Sequence, residues 1–194
     1  MKSQKYFSDK IARIIAASIE TKQSLVTHQR GAIEAAARSV ITSLARGGKL
    51  IVFGNGGSAA DSQHIVAELV GRFQKERKAL SAISLTTNTS TLTALANDYG
   101  YDISFSRQME ALATKYDIAL GISTSGNARN VIEAVKTAKR RRLTTIGLSG
   151  GSGGQLAKTA DIAIVVPSKV TARIQESHIM IGHIICELVE RELC

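Results

Sequence analysis

Apolar side chains recur at Phe7, Ile11, Ile14, Ile15 and Ile19, the three- and four-residue spacing of one helical face over residues 4–21. Ile33, Ala36, Val40, Ile41 and Leu44 repeat that spacing and predict a second helix over 28–47. Arg46-Gly47-Gly48 closes it with the glycine that suits a helix C-terminus. After residue 48 the pattern changes. Short, nearly pure apolar runs at 50–53, 82–85, 118–122, 144–148 and 162–166 read as buried strands. Between them the spacing predicts helices at 58–73, 104–114, 128–141 and 155–159, a short one ending near Leu95, and a long last helix over 171–192. Asn97-Asp98-Tyr99-Gly100 reads as an interruption between two of these helices.

Strands that lack polar alternation and take turns with helices belong in a parallel sheet covered on both faces. The expected fold is therefore α/β: a three-layer αβα sandwich on a five-stranded parallel sheet, with two leading helices and a long C-terminal helix. A chain of 194 residues suits one domain, and no linker or low-complexity tract divides it. The helices within residues 1–47 exceed what a doubly wound unit needs, and are expected to build an oligomer. Polar loops after the first, third and fourth strands fall at the carboxyl edge of the sheet, where ligands bind in such folds.

Composition narrows the partners. A formal net charge of +9 favours anions, whether nucleic acid or phosphorylated metabolites. The densest run, Lys139 to Arg142, closes a predicted helix, where cations complement the dipole, so it reads as a solvated helix end. With no Trp and only 4% aromatic residues, base stacking is an unsuitable main activity, and nucleic acid is not the expected partner. Two cysteines make no disulfide framework, the first residues carry no signal-type apolar core, and no apolar run is long enough to span a membrane. A soluble cytoplasmic protein is expected.

The chemistry concentrates in Ile51–Phe73, IVFGNGGSAADSQHIVAELVGRF. A strand, the turn Gly54-Asn55-Gly56-Gly57, and a helix with Ser58 as N-cap and Asp61 three residues on would make an anion site. The turn is neither G-x-G-x-x-G nor a Walker A loop, so dinucleotides and nucleoside triphosphates are weakly supported. Ser123-Thr124-Ser125-Gly126-Asn127 follows another strand and adds hydroxyl and backbone donors at the same edge. Two such loops in a basic chain suit a sugar-phosphate ligand. His64 and Glu68, four residues apart, share a helix face and read as a metal pair, an acid/base pair or a solvated pair. The last helix contributes Gln175, Glu176, His178 and His183 among isoleucines, a pattern equally suited to a packed helix with satisfied histidines.

GNGGS-x₅-H-x₃-E, ANDYGY, GISTSGN and ARIQE-x₆-H, in this order along essentially the whole chain, resemble the phosphoheptose isomerases, which are sugar-isomerase (SIS) domain proteins of flavodoxin-like architecture. The resemblance implies interconversion of sedoheptulose 7-phosphate and a manno-heptose 7-phosphate, in heptose supply for lipopolysaccharide or another surface glycan. It implies a divalent metal, zinc, on His64, Glu68, Gln175 and His183. It implies substrate contacts from Asn55, Gly56, Gly57, Asn97, Asp98, Ser123, Thr124, Ser125 and Gln175, to which Ser58 and Glu68 are added, and a homotetramer with active sites at subunit contacts. Ala128 and Ala172 depart from the pattern of some members, at positions that bear on fine substrate contacts.

Gln175 and His183 lie ~12 Å apart along a continuous helix, so Gln175 is expected to bind an ion more loosely than His183. For an enediol reaction Glu68 is the expected base and His183 its counterpart, with Asp98 as a third proton-handling group. The competing reading is a non-catalytic SIS-domain protein that regulates a replication initiator. The presence of Glu68 and His183 argues for the enzyme.

Overall fold

The protein, described here over residues 4–194 of a computed structural model, opens with α1 (Gln4–His28) and α2 (Arg30–Ala45). There follow β1 (Leu50–Gly54), α3 (Gly57–Val70), β2 (Ala82–Ser84), α4 (Thr89–Tyr99), α5 (Ser104–Leu112), β3 (Ile118–Ile122), α6 (Arg129–Arg140), β4 (Thr144–Gly150), α7 (Gly154–Thr159), β5 (Ile162–Val166) and α8 (Thr171–Leu193). The five strands form one parallel sheet in the order β2-β1-β3-β4-β5. No helix among the described residues is long and apolar enough to cross a membrane.

Alternation along the strands divides the core in two. Leu50, Val52, Leu120, Ile122, Ile146 and Leu148 face α2, α3 and α8, meeting Val40, Ile65, Leu69, Ile181 and Ile185. Ile51, Phe53 and Ala119 face the other way, against Phe105 and Met109 of α5 and Val131 and Val135 of α6. Both faces of the sheet are covered, which is why the strands read as unbroken apolar runs. Strand order reverses between β1 and β3. The loops after these two strands, Gly54–Ser58 and Ser123–Asn127, therefore flank the crevice of the topological switch point.

Three local expectations are corrected. The first is the cap of α3. The helix begins at Gly57 with Gly56 as its N-cap at φ 55°, and Ser58 already lies inside it, buried, with its N–H donated to the Asn55 carbonyl at 2.9 Å. The glycines let the chain wind one residue early, so no capping box forms between Ser58 and Asp61. Secondly, Asn97-Asp98-Tyr99 does not interrupt a helix. Asn88 caps α4 through Thr91 N–H at 2.9 Å, and the helix runs unbroken to Gly100, where φ 88° ends it. The polar residues there are simply its exposed last turn. Thirdly, α1 extends to His28 and α2 starts only at Arg30.

One buried base lies on the inner face of α8. His178 is fully buried and donates Nε2–H to the Ser149 carbonyl at 3.1 Å, while its Nδ1 has no partner. Burial pushes its pKa down to about 4, against the opposing pull of that carbonyl. The folded chain thus refuses, until about pH 4, a proton that the unfolded chain takes up near pH 6.5. Stability from this group is whole above pH 6.5 and is lost as pH falls towards 4, on the order of 3 kcal/mol in all. In urea titrations the stability of His178→Gln should fall less steeply than wild type across that window. Parallel pH profiles would contradict the assignment.

Candidate active site

The turn after β1 is built for close approach. A Cβ on Gly57 would come within 2.4 Å of Gln175 Nε2, so the amide of Gln175 lies directly against the start of α3. N–H groups of the first helical turn and the positive end of the helix dipole face the same space. Asn55 is held from its side chain: its Nδ2 donates to Asn130 Oδ1 at 2.8 Å, and its Oδ1 accepts from Asn130 Nδ2 at 2.9 Å and from Tyr101 Oη at 3.1 Å. The loop after β3 is braced as firmly. Gly126, at φ 67°, presses so closely on the next loop that a Cβ would lie 2.0 Å from the Gly153 carbonyl oxygen. Asn127 Oδ1 accepts Gln155 N–H at 3.1 Å, and Leu156 N–H donates to the Gly126 carbonyl at 2.8 Å. Ser123 is buried, Thr124 is half-buried and Ser125 is exposed, a graded row of hydroxyls leading out of the sheet edge.

Two turns along α3 from Gly57, the ligand-type side chains converge. His64 Nε2 is 3.0 Å from Glu68 Oε1, and 3.0 Å from His183 Nε2 on α8. Since two imidazole nitrogens make the second contact, one ring carries the proton and the other accepts it. Ligand atoms of His64, Glu68 and His183 all lie within 4.8 Å of one another. Two imidazoles and a carboxylate at that spacing fit a divalent ion of intermediate softness. The structure brings His64 and Glu68 together with His183 in one group that could hold a metal ion.

Not every expected residue joins this cluster. Gln175 faces the glycine turn, away from the far end of α8 that carries His183. Asn97 and Asp98 are exposed on the last turn of α4, where Asn97 Nδ2 donates to Asp98 Oδ1 at 2.8 Å, and no hydrogen bond or ion pair links them to His64, Glu68 or His183. Tyr101, just beyond α4, reaches Asn55 with its hydroxyl at 3.1 Å. Tyr101 falls within the ANDYGY motif but was given no role from the sequence, and Asn130 escaped the reading because nothing in its spacing marks it.

Asp61 was read only as a cap. It lies one turn before His64, its Oδ2 is buried without a partner, and burial raises its pKa to about 6 although His64 pulls the other way.

This constellation matches known proteins. The SIS domain family model covers residues 10–150. The phosphoheptose isomerase of Aquifex aeolicus is 51% identical over 186 residues, spanning 96% of this chain and 97% of the relative. The chain belongs to the phosphoheptose isomerase family. Solved structures agree: the phosphoheptose isomerase of Neisseria gonorrhoeae superposes with a TM-score of 0.90 at 42% identity, over 95% of this chain and 99% of its own. That of Francisella tularensis gives 0.91 at 39% identity, over 94% and 97%. This isomerase therefore takes a sugar phosphate as substrate, and the non-catalytic reading is not favoured.

The two glycines predict different outcomes. Gly126→Ala in the isomerase forces a Cβ into backbone at an unfavourable φ, and should cost about 3 kcal/mol or more in denaturant unfolding. Gly57→Ala meets only the movable end of Gln175. It should leave the melting temperature nearly unchanged while raising KM for the sugar phosphate about tenfold, the ~1.4 kcal/mol of one lost amide hydrogen bond. An unchanged KM would separate Gln175 from substrate binding.

Proposed function

We propose that the isomerase interconverts D-sedoheptulose 7-phosphate and D-glycero-D-manno-heptose 7-phosphate through an enediol, in the cytoplasm, whose reducing conditions suit its free Cys186 and Cys194. The observation that carries this reading is the meeting of Glu68 and His183, from two helices far apart in the chain, beside the donor-rich loops of the switch point. The phosphate end of the sugar is received by Gly56, Gly57 and Ser58 at the start of α3 and by Ser123, Thr124 and Ser125 opposite. Asn55 and Gln175 orient the chain of hydroxyls between them.

Glu68 uses one carboxylate oxygen, Oε1, towards His64, and its other oxygen makes no hydrogen bond. That free oxygen removes the proton from the carbon beside the carbonyl, and returns it to the neighbouring carbon. His183 moves the proton between the two oxygens of the enediol, so the carbonyl shifts by one carbon without net redox change. His64, Glu68 and His183 would hold a divalent ion, zinc by its fit to imidazole and carboxylate, which would supply polarisation of the carbonyl oxygen. Gln175 serves the substrate first, since its amide lies at the glycine turn.

The exposed face of α1 supports an assembly of several subunits. Phe7, Ile11, Ile14, Ile15, Ile19 and Val26 of this helix are between 42% and 64% exposed, an apolar stripe along one face. A patch of that kind supports burial between subunits. We assign it to a homotetramer, with Asn97 and Asp98, exposed on their own subunit, completing a site across a subunit boundary.

Two experiments test these readings. Glu68→Gln keeps the shape but not the base, and should abolish turnover of sedoheptulose 7-phosphate in a protein with wild-type circular dichroism; substantial remaining activity would sink the base assignment. Ile11→Lys with Ile15→Lys places charges on the stripe, and light scattering should show a smaller species than wild type. A wild-type mass would put the subunit contact elsewhere.

A further inference from the structure

A second buried network lies behind the ligand-type cluster, and the reaction as described does not use it. Glu190 sits on α8 seven residues beyond His183, two turns along the same helix face. It is 2% exposed. Its Oε1 accepts the N–H groups of Gln74 at 2.8 Å and Lys75 at 2.7 Å, and its Oε2 accepts Phe73 N–H and Arg77 Nε–H, both at 3.0 Å. Burial would raise its pKa, but the three backbone donors and the guanidinium hold it at about 2, so the carboxylate is ionised. The Arg77 side chain is 3% exposed and has every remaining nitrogen committed. Nη1 donates to the carbonyls of Leu69 at 2.8 Å, Gly71 at 3.1 Å and Lys78 at 3.0 Å, and Nη2 to the Glu68 carbonyl at 2.8 Å.

An ion pair of this kind gains little stability by itself, because desolvating both charges offsets their attraction. What the pair gains is placement. The segment 71–81 between α3 and β2 contains no helix or strand, and three consecutive N–H groups of it end on one carboxylate. The first of these belongs to Phe73, whose ring lies 5.6 Å from that of His183. His183 has the His64 ring at 5.0 Å as its other ring neighbour. The last turn of α3 holds no basic residue of its own, so Arg77 supplies the cation that its carbonyls favour.

We propose that Glu190 and Arg77 are positioning residues of the isomerase. By fixing Phe73 N–H they seat the Phe73 ring against His183, and by holding the Glu68 carbonyl they fix the turn of α3 that carries Glu68. The two proton-handling side chains are thereby aligned from behind by groups that touch no substrate. The inference rests on the reaction assigned above.

A double-mutant cycle in the full-length enzyme tests it. Glu190→Gln and Phe73→Ala are compared singly and together for kcat, KM, urea stability and zinc affinity measured by competition with a chromophoric chelator. Each single variant should lower kcat about tenfold with KM within about twofold, and weaken zinc about tenfold. The double variant should be no worse than the poorer single one, because what Phe73→Ala removes is already part of what Glu190→Gln releases. Losses that multiply to about a hundredfold, or folded variants that keep wild-type kcat and zinc affinity, overturn the proposal. Should Glu190→Gln fail to fold, Phe73→Ala with unchanged kcat and zinc affinity overturns it alone. The zinc arm needs no sugar: a wild-type chain that binds zinc with the expected coupling but turns over no heptose refutes the reaction while upholding the positioning. A chain with neither property refutes both.

Discussion

The site depends on how closely α8 packs against α3. At their contact stands Gly182, where a Cβ would come within 2.7 Å of Ile65 Cγ1 and 2.8 Å of Ile65 Cδ1. Gly182 precedes His183, and Ile65 follows His64. Absence of a side chain at this one position lets the backbones approach until the two imidazoles touch at 3.0 Å. A larger residue there would force the helices apart, and a shift of about an ångström is enough to break such a constellation. Everything else at the site is arranged along this seam.

The two helices lie side by side and run in the same direction. Gln175 meets Gly57, Gly182 meets Ile65, the Cys186 thiol approaches the Ile65 carbonyl at 3.9 Å, and Glu190 reaches the end of α3 through Arg77. This parallel course explains why Gln175 and His183, though on one helix, do not gather at one point. Their separation along α8 matches that between the glycine turn and His64 along α3. Anion-binding geometry therefore sits at one end of the seam and proton and metal chemistry further along it.

The elements with strong periodicity were legible in the sequence. Unbroken apolar strands required a sheet covered on both faces, and glycine and serine loops after β1 and β3 could only meet at the carboxyl edge. His64 and Glu68 could be placed on one helix face from their spacing, and only the likeness to a known family joined His183 to them; the structure brings the three together. What was hidden is what depends on tertiary approach. Ser58 looks like a cap because serine so often is one, yet the glycines before it start the helix earlier. The Asn97–Tyr99 stretch looks like a break because its residues favour turns, although Asn88 capping carries α4 through it. Gly182 looks like an ordinary weak point in a helix, and Arg77 and Glu190 look like surface charges. Each takes its meaning from a partner more than a hundred residues away.

Assembly and site also share a support. The turn of α8 that presents Gln175 is the one to which α1 is tied: Arg173 Nη1 donates to the Ile14 carbonyl at 2.7 Å, and Glu176 Oε2 accepts Ser18 Oγ–H at 2.7 Å. Arg173 and Glu176 also pair with each other, closing a bridge around Gln175. Ser18 lies on the same face of α1 as Ile11, Ile14 and Ile15, so the bridge to α8 meets the helix within its exposed apolar stripe. Leu25 is the one buried side chain of α1 among the described residues, so the polar bridge to α8 carries much of the attachment of this helix. The subunit contact proposed for the stripe would press on this same face, and so on the bridge that flanks Gln175. α1 bears on the site through the turn of α8 to which it is tied.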